Sequence, residues 1–280
     1  MNDAAIAITQ VAGHAGPVGA TATATTTPGF IVTKEHRRFA EFCDACRRQR
    51  YIGLCHGSPG VGKTLSANYY SNSKGKPDTP SDPHEGFPIL YTPPVANNPR
   101  QIAKDIKRLR DDGRYRGRVE RTREEGKLIW PPPDRTELLI IDEADRLRMA
   151  GLEQLRDIYD RGGMGLVLIG MPGLEKRLAR YPQLYSRVGF VHGFRALSPA
   201  EMHFILTQKW AELGWTLRVD DFTDTEAEAA IIRITGGNFR LLQRLWTQIE
   251  RILQINEIQV VTAEVVEAAR ESLVIGIGTD

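Results

Sequence analysis

Four short, uninterrupted apolar runs constrain the fold of this 280-residue chain more than any other feature. The runs lie at residues 51–55, 87–91, 138–141 and 166–169, and segments with helical spacing separate one run from the next. A strand with one face in water alternates apolar and polar residues, whereas these runs are apolar throughout, so both of their faces must be covered. Strands of this kind, alternating with helices, predict an α/β fold in which helices cover both faces of a parallel sheet.

A glycine-rich loop follows the first run and leads into a predicted helix. Its sequence is Gly57-Ser58-Pro59-Gly60-Val61-Gly62-Lys63-Thr64, which fits G-x-x-x-x-G-K-[ST]. We call it the phosphate loop, because its glycines let backbone N–H groups surround phosphate oxygens at the positive end of the helix dipole. Lys63 is predicted to reach the β- and γ-phosphates and the Thr64 hydroxyl to bind Mg²⁺. The motif predicts a nucleoside triphosphate site with contacts from Gly57 to Leu65.

Two carboxylates, Asp142 and Glu143, end the third apolar run. Ligands of open α/β sheets bind beside the carboxyl ends of the strands, so these side chains should lie next to the phosphate loop. Asp142 is predicted to hold Mg²⁺, and Glu143 to orient and deprotonate the attacking water. The pair indicates hydrolysis rather than binding alone, with an acidic helix cap as the alternative.

The composition changes along the chain and predicts three parts. Residues 1–29 are mostly Ala, Thr and Gly with almost no charge, which predicts a flexible tail. The α/β core is expected over residues 30–196. A capping box at 198–201 opens a series of predicted helices, so residues 197–280 are expected to form a small helical lid. Three cysteines and the lack of a long apolar segment indicate a cytoplasmic location.

The phosphate loop, the acidic strand end, the further strand and the helical lid resemble those of the AAA+ ATPases, over roughly residues 30–275. The resemblance implies a P-loop three-layer αβα core, ATP and Mg²⁺ as cofactors, and catalysis by Lys63 and Glu143. Arg187 stands where the family places the arginine finger that acts on the neighbouring subunit, and Arg240 stands at the sensor-2 position of the lid. Competing candidates for the finger are Arg177, Arg180 and Arg195.

One position departs from the family pattern. These ATPases usually carry Asn, Ser or Thr just after the strand that corresponds to residues 166–169, where the side chain helps to position water. Here the sequence is Gly170-Met171-Pro172. We therefore expect slow hydrolysis, of the kind that suits a timer or switch.

Within the AAA+ ATPases, the chain most resembles the transposition regulators of the TniB, TnsC and MuB kind. The likeness rests on the phosphate loop, on Leu-Leu-Ile-Ile-Asp-Glu-Ala-Asp-Arg-Leu at 138–147 and on the segment 168–174 that leads to Ser186-Arg187. It implies a homo-oligomer, a ring or helical filament, that forms with ATP on double-stranded DNA and recruits and activates a transposase, guided by a target-selection protein. The alternatives are a helicase loader or secretion-linked motor with a protein partner, and a nucleotide-gated DNA scaffold with negligible hydrolysis.

The net charge of +2 hides a separation of charge along the chain. Residues 100–127 hold eleven basic and six acidic side chains, whereas residues 220–280 hold five basic and eleven acidic ones. In a predicted helix over 99–111, the apolar spacing turns the basic residues toward solvent. A solvated, locally paired segment is the alternative to a site for DNA phosphates. The predicted DNA contacts are Arg100, Lys104, Lys107, Arg108, Arg114, Arg116 and Arg118.

Overall fold

The computed structural model describes residues 30–73, 86–125 and 134–273, and for residues 114–125 it describes the backbone alone. The predicted tail at 1–29 lies outside the described residues. No helix within the described ranges has the length and apolarity needed to cross a membrane. The elements are α1 (Lys34–Gln49), β1 (Ile52–His56), α2 (Lys63–Ser73), β2 (Phe87–Tyr91), α3 (Pro99–Glu125), β3 (Thr136–Ile141), α4 (Met149–Gly162), β4 (Gly165–Gly170), α5 (Leu174–Leu178), α6 (Pro182–Tyr185), β5 (Val188–Gly193), α7 (Pro199–Glu212), α8 (Phe222–Thr235), α9 (Phe239–Ile255) and α10 (Ala263–Glu271).

The five strands form one parallel sheet in the order β2-β3-β4-β1-β5. β4 lies between β1 and β3, so that Leu166 pairs with Ile52 on one side and with Leu139 on the other. The carboxyl ends of all five strands lie at the same edge of the sheet, which makes neighbours of the loops after β1, β3 and β4. The predicted α/β fold with a parallel sheet is confirmed.

Helices cover both faces of the sheet. Successive residues of β3 point to opposite sides, as the pleat of a strand requires. Leu138 and Ile140 join a buried cluster with Phe39 and other residues of α1 and α2. Leu139 and Ile141 join a second cluster, to which α3, α4, α5 and α6 contribute. The continuous apolar run is therefore explained by burial of the strand on both sides.

The helices α7 to α10 share a third hydrophobic cluster of their own. α7 begins with the predicted capping box, in which Ser198 accepts from the Glu201 N–H and the Glu201 carboxylate accepts from the Ser198 N–H. Inside the cluster, the rings of Trp210 and Trp246 lie 5.1 Å apart, and Trp210 Nε1 donates to Asp224 Oδ1 at 3.2 Å. The C-terminal region is thus helical, and its exact boundary with the core stays a prediction.

Two features of the core differ from expectation. α3 continues to Glu125 instead of ending at 111, and Gly113 lies inside the helix. A Cβ at Gly113 would overlap the ring of Phe87, so this glycine allows close packing of the helix on β2 instead of marking a turn. β5 is absent from the predicted elements because Gly189 and His192 leave it without a continuous apolar run. It pairs with β1 alone, as an edge strand.

Replacement of Gly165 by alanine should destabilise the core. A Cβ at this position would lie 2.5 Å from the carbonyl oxygen of Cys46, which is backbone and cannot move aside cheaply. We expect Gly165→Ala to lower the free energy of unfolding by roughly 1–3 kcal/mol in urea titrations. The matched control is Gly193→Ala, where the nearest atom, in His56, lies 3.7 Å away, and its effect should stay within about 0.5 kcal/mol. Equal losses for the two variants would contradict this account of the packing.

Candidate nucleotide-binding site

The phosphate loop connects β1 to α2, and two of its glycines have backbone angles that side chains rarely adopt: φ is +82° at Gly60 and +108° at Gly62. The Lys63 ammonium donates to the carbonyl oxygens of Gly57 at 2.5 Å and Ser58 at 2.8 Å. Burial lowers the pKa of Lys63. The loop therefore surrounds a cation at the N-terminus of a helix, an arrangement that accepts phosphate groups.

The other predicted contacts of the loop differ in exposure. Val61 is buried and packs in the cluster that includes α1 and α2. Pro59 and Leu65 are exposed, Pro59 at the outer rim of the loop and Leu65 in the first turn of α2. Val61 therefore supports the loop from below, and the side chains of the two exposed residues face solvent.

Thr64 and Asp142 meet at the carboxyl edge of the sheet. Thr64 Oγ1 donates to Asp142 Oδ2 at 2.7 Å, and Asp142 Oδ1 accepts from the N–H of Glu143 at 2.9 Å. Asp142 is 3% exposed, so its orientation is fixed by these partners. A hydroxyl beside a carboxylate offers the hard oxygen ligands that Mg²⁺ prefers, and the pair fits this ion.

Glu143 lies at the same edge, but its carboxylate is already engaged. Its backbone has a left-handed φ of 52°, and its side chain forms an ion pair with Arg146. Arg146 also donates from Nη1 to the carbonyl oxygen of Pro93 at 3.0 Å. The predicted base is therefore linked, through one guanidinium, to the loop between β2 and α3.

The lid contacts the phosphate loop at the start of α9. The N–H of Arg240 donates to the carbonyl oxygen of Gly60 at 3.0 Å, which places Arg240 beside the loop. Asn238 Nδ2 donates to the carbonyl oxygen of Pro59 at 2.9 Å, and its Oδ1 accepts from the N–H of Leu241 as the N-cap. The sequence does not identify Asn238 as a site residue, because an N-cap pattern predicts where a helix starts and not which loop that helix contacts.

The structure does not bring Arg187 to the phosphate loop of its own chain. Its guanidinium pairs with Asp160, with Nε 2.7 Å from Oδ1 and Nη2 3.1 Å from Oδ2, and it also donates to the carbonyl oxygen of Gln183. The contacts of the described residues include none between Arg187 and the loop. The geometry therefore argues against a role for Arg187 at the nucleotide bound by its own chain.

The competing arginines divide into two groups. Arg177 turns inward, where it donates to the carbonyl oxygens of Asp145, at 2.7 Å, and Leu147. Two backbone partners hold this guanidinium within its own chain. Arg180 and Arg195 are exposed. Arg177 is thus the weakest of the candidates for a contact with another subunit.

The basic face of α3 is oriented as the sequence predicts. Ile102 and Ile106 are buried against the sheet. The helix follows β2 and so begins at the same edge of the sheet as the phosphate loop. Its exposed basic residues, which we call the basic helix face, are Arg100, Lys104, Lys107 and Arg108. The side chains of Arg114, Arg116 and Arg118 lie outside the described part of the structure.

Sequence comparison decides the family. The AAA domain matches residues 46–178, which include the phosphate loop and Asp142. The chain is also 46% identical over 265 residues to a potential ATP-binding protein of Staphylococcus aureus, covering 89% of this chain and 97% of that protein. The chain therefore contains an AAA domain and belongs to one family with the Staphylococcus protein.

More distant relatives and solved structures are also similar to this chain. This AAA protein is 28% identical over 232 residues to the Mu-like prophage FluMu DNA transposition protein B of Haemophilus influenzae, over 78% of this chain and 72% of that protein. Among solved structures, the RuvB Holliday junction branch migration motor of Thermotoga maritima matches with a TM-score of 0.58 and 17% identity, over 87% and 70% of the two chains. The ORC2 protein of Aeropyrum pernix matches with a TM-score of 0.56 and 15% identity, over 89% and 71%. These likenesses confirm the fold.

Loss of the Asn238 amide should weaken nucleotide binding. Asn238→Ala removes both the N-cap of α9 and the hydrogen bond to the phosphate loop, so we expect roughly a fivefold loss of nucleotide affinity in a titration with fluorescent ATP. The matched control is Thr262→Ala, which removes the N-cap of α10, where Thr262 accepts from Val265 at 3.3 Å. Both variants should lose about 1 kcal/mol of stability. Unchanged affinity in Asn238→Ala would rule out this coupling of the lid to the loop.

Proposed function

We propose that this AAA protein hydrolyses ATP slowly with Mg²⁺, assembles on double-stranded DNA in the cytoplasm, and there recruits and activates a transposase at a site given by a target-selection protein. The observation that carries the proposal is the hydrogen bond between Thr64 and Asp142, because it joins the phosphate loop to the acidic end of β3. The transposition part is supported by the likeness to the Haemophilus transposition protein.

Each polar residue of the site has a distinct role in the proposed hydrolysis. The backbone N–H groups of the phosphate loop and Lys63 bind the phosphates of ATP. Thr64 and Asp142 hold Mg²⁺, which when bound neutralises charge on the phosphates. Glu143 accepts the proton of the attacking water, and Arg240 stabilises the charge that develops on the γ-phosphate.

Two features support a slow reaction. Gly170 and Met171 provide no polar side chain at the end of β4. In addition, one oxygen of the Glu143 carboxylate is held by the ion pair with Arg146, which competes with a water for this side chain.

The basic helix face suits contact with the DNA backbone. Its four cations lie on the exposed side of α3 near the N-terminus of the helix, where they can contact DNA phosphates. Contacts of this kind bind phosphates irrespective of sequence. α3 follows the loop that contains Pro93, which accepts a hydrogen bond from Arg146. We therefore expect DNA on this face to act on the ion pair between Arg146 and Glu143.

We infer that the arginine finger of the site comes from a neighbouring subunit. Arg187 is 34% exposed at its side chain and lies apart from its own phosphate loop, so we assign it to the nucleotide of a neighbouring subunit. A guanidinium there stabilises charge on the transferred phosphoryl group. Arg180 and Arg195 are the alternatives for this contact.

Glu143→Gln should stop turnover and leave ATP binding intact, because glutamine keeps the size of the side chain and loses the base. With hydrolysis blocked, assemblies should persist on DNA. Electron microscopy of the variant with ATP, with and without duplex DNA, should show rings or filaments that depend on DNA, and a phosphate-release assay measures turnover. The matched control is Glu226→Gln, an exposed carboxylate of α8, which should behave as the wild type.

The same experiment separates the alternatives. Closed rings that form without DNA would favour a helicase loader or a secretion-linked motor. Wild-type protein that binds ATP and assembles on DNA without releasing phosphate would favour the nucleotide-gated scaffold.

Reversal of two charges on the basic helix face should abolish DNA binding. Lys104→Glu with Arg108→Glu replaces two phosphate contacts by repulsion, and we expect at least roughly a hundredfold weaker binding of duplex DNA in fluorescence anisotropy. The affinity for ATP should not change. The matched control reverses two exposed arginines of the lid, Arg218→Glu with Arg251→Glu, and alters the net charge equally. If the first variant binds DNA as tightly as the wild type, the basic helix face is not the DNA site.

A further inference from the structure

The carboxyl end of β4 faces the middle of the nucleotide site and carries no polar side chain of its own. β4 lies between β1 and β3, so its last residue, Gly170, sits between the phosphate loop and Asp142. The carbonyl oxygen of Gly170 accepts from the N–H of Gly57 at 3.3 Å, which ties the two loops together. A base alone fixes one hydrogen bond of an attacking water, and a second group is needed to orient it.

The carboxylate of Asp145 occupies the space that a side chain on Gly170 would take. A Cβ built on Gly170 would lie 2.5 Å from Asp145 Oδ2 and 3.0 Å from its Cγ. The same oxygen accepts a hydrogen bond from the N–H of Met171 at 2.7 Å. The remaining close atom, at 2.9 Å, is a terminal methyl of Leu174, which can move aside. Gly170 at the end of β4 therefore leaves room for the carboxylate of Asp145, which follows the end of β3.

The position of Asp145 is fixed by the backbone on both sides of it. Residues Ala144–Arg146 form a single turn of 3-10 helix directly after Glu143. The inward-facing guanidinium of Arg177 donates to the carbonyl oxygens of Asp145 and Leu147. Ala144 and Leu147 are fully buried. These contacts hold the Asp145 carboxylate in one orientation even when no ligand is bound.

The two oxygens of the Asp145 carboxylate differ in their contacts. Oδ2 accepts from the N–H of Met171. No described residue donates to the second oxygen of Asp145, Oδ1, which leaves it available as an acceptor.

We propose that Asp145 is a positioning residue that orients the attacking water, in place of the polar side chain that β4 lacks. The inference rests on the proposed ATP hydrolysis. Asp145 Oδ1 accepts one hydrogen bond of the water, and Glu143 takes the other proton. The water oxygen then bonds to the γ-phosphorus as the bond to the bridging oxygen of ADP breaks.

Asp145→Ala tests the role directly. We expect kcat for ATP hydrolysis to fall roughly 10- to 100-fold, because a poorly oriented water reacts more slowly, with KM and nucleotide affinity within about threefold of the wild type. The matched control is Asp220→Ala, which removes an exposed carboxylate of the lid and should leave both values unchanged. A kcat that survives Asp145→Ala overturns the proposal.

A reciprocal exchange distinguishes positioning from support of the fold. Gly170→Ser alone should impair turnover, because its Cβ meets the Asp145 carboxylate. Asp145→Ala combined with Gly170→Ser should recover at least about fivefold of kcat over Asp145→Ala, since the hydroxyl then supplies the missing group from β4. A double variant no faster than Asp145→Ala would mean that Asp145 only supports the loop. If the wild type and Glu143→Gln both lack turnover, the proposed hydrolysis itself fails, and the role of Asp145 falls with it.

Discussion

Parallel pairing of β3, β4 and β1 fixes where the polar groups of this protein can meet. Because the three strands run in the same direction, the loops after them emerge at one edge, and each loop delivers one part of the site. β1 supplies the phosphate loop, and β3 supplies Asp142 and Glu143. Gly170 at the end of β4 has no side chain, and the Asp145 carboxylate occupies that space. The apolar interiors of these strands make the arrangement rigid, since helices pack on both faces.

The parts of the site that depend on local sequence could be predicted, and those that depend on tertiary contacts could not. The phosphate loop, Asp142 and the exposed face of α3 follow from spacing within one segment. Asn238 and Asp145 act across long separations in the chain, so no local pattern shows their partners. β5 escaped prediction because an edge strand with two glycines lacks a continuous apolar run, and Gly113 inside α3 is explained by its close contact with Phe87 of β2.

Hydrogen bonds connect the site to the surfaces around it. Asn238 and the N–H of Arg240 join the lid to the phosphate loop, and Arg146 joins Glu143 to the loop that leads into the basic helix face. Each contact ends on a backbone carbonyl of a loop, where small movements are inexpensive. Under the proposed function, bound nucleotide would affect the lid through its contact with the phosphate loop. Bound DNA would affect Glu143 through Arg146 and the loop before α3.

The ion pair between Arg187 and Asp160 bears on how subunits would join and part. In the single chain, the guanidinium already has a carboxylate partner and a carbonyl partner. Docking against a neighbour would exchange this pair for another, so much of the electrostatic gain of one is offset by the loss of the other. The exchange of this ion pair would therefore contribute little to the free energy that joins two subunits. Most of that free energy would have to come from the other contacts of the interface.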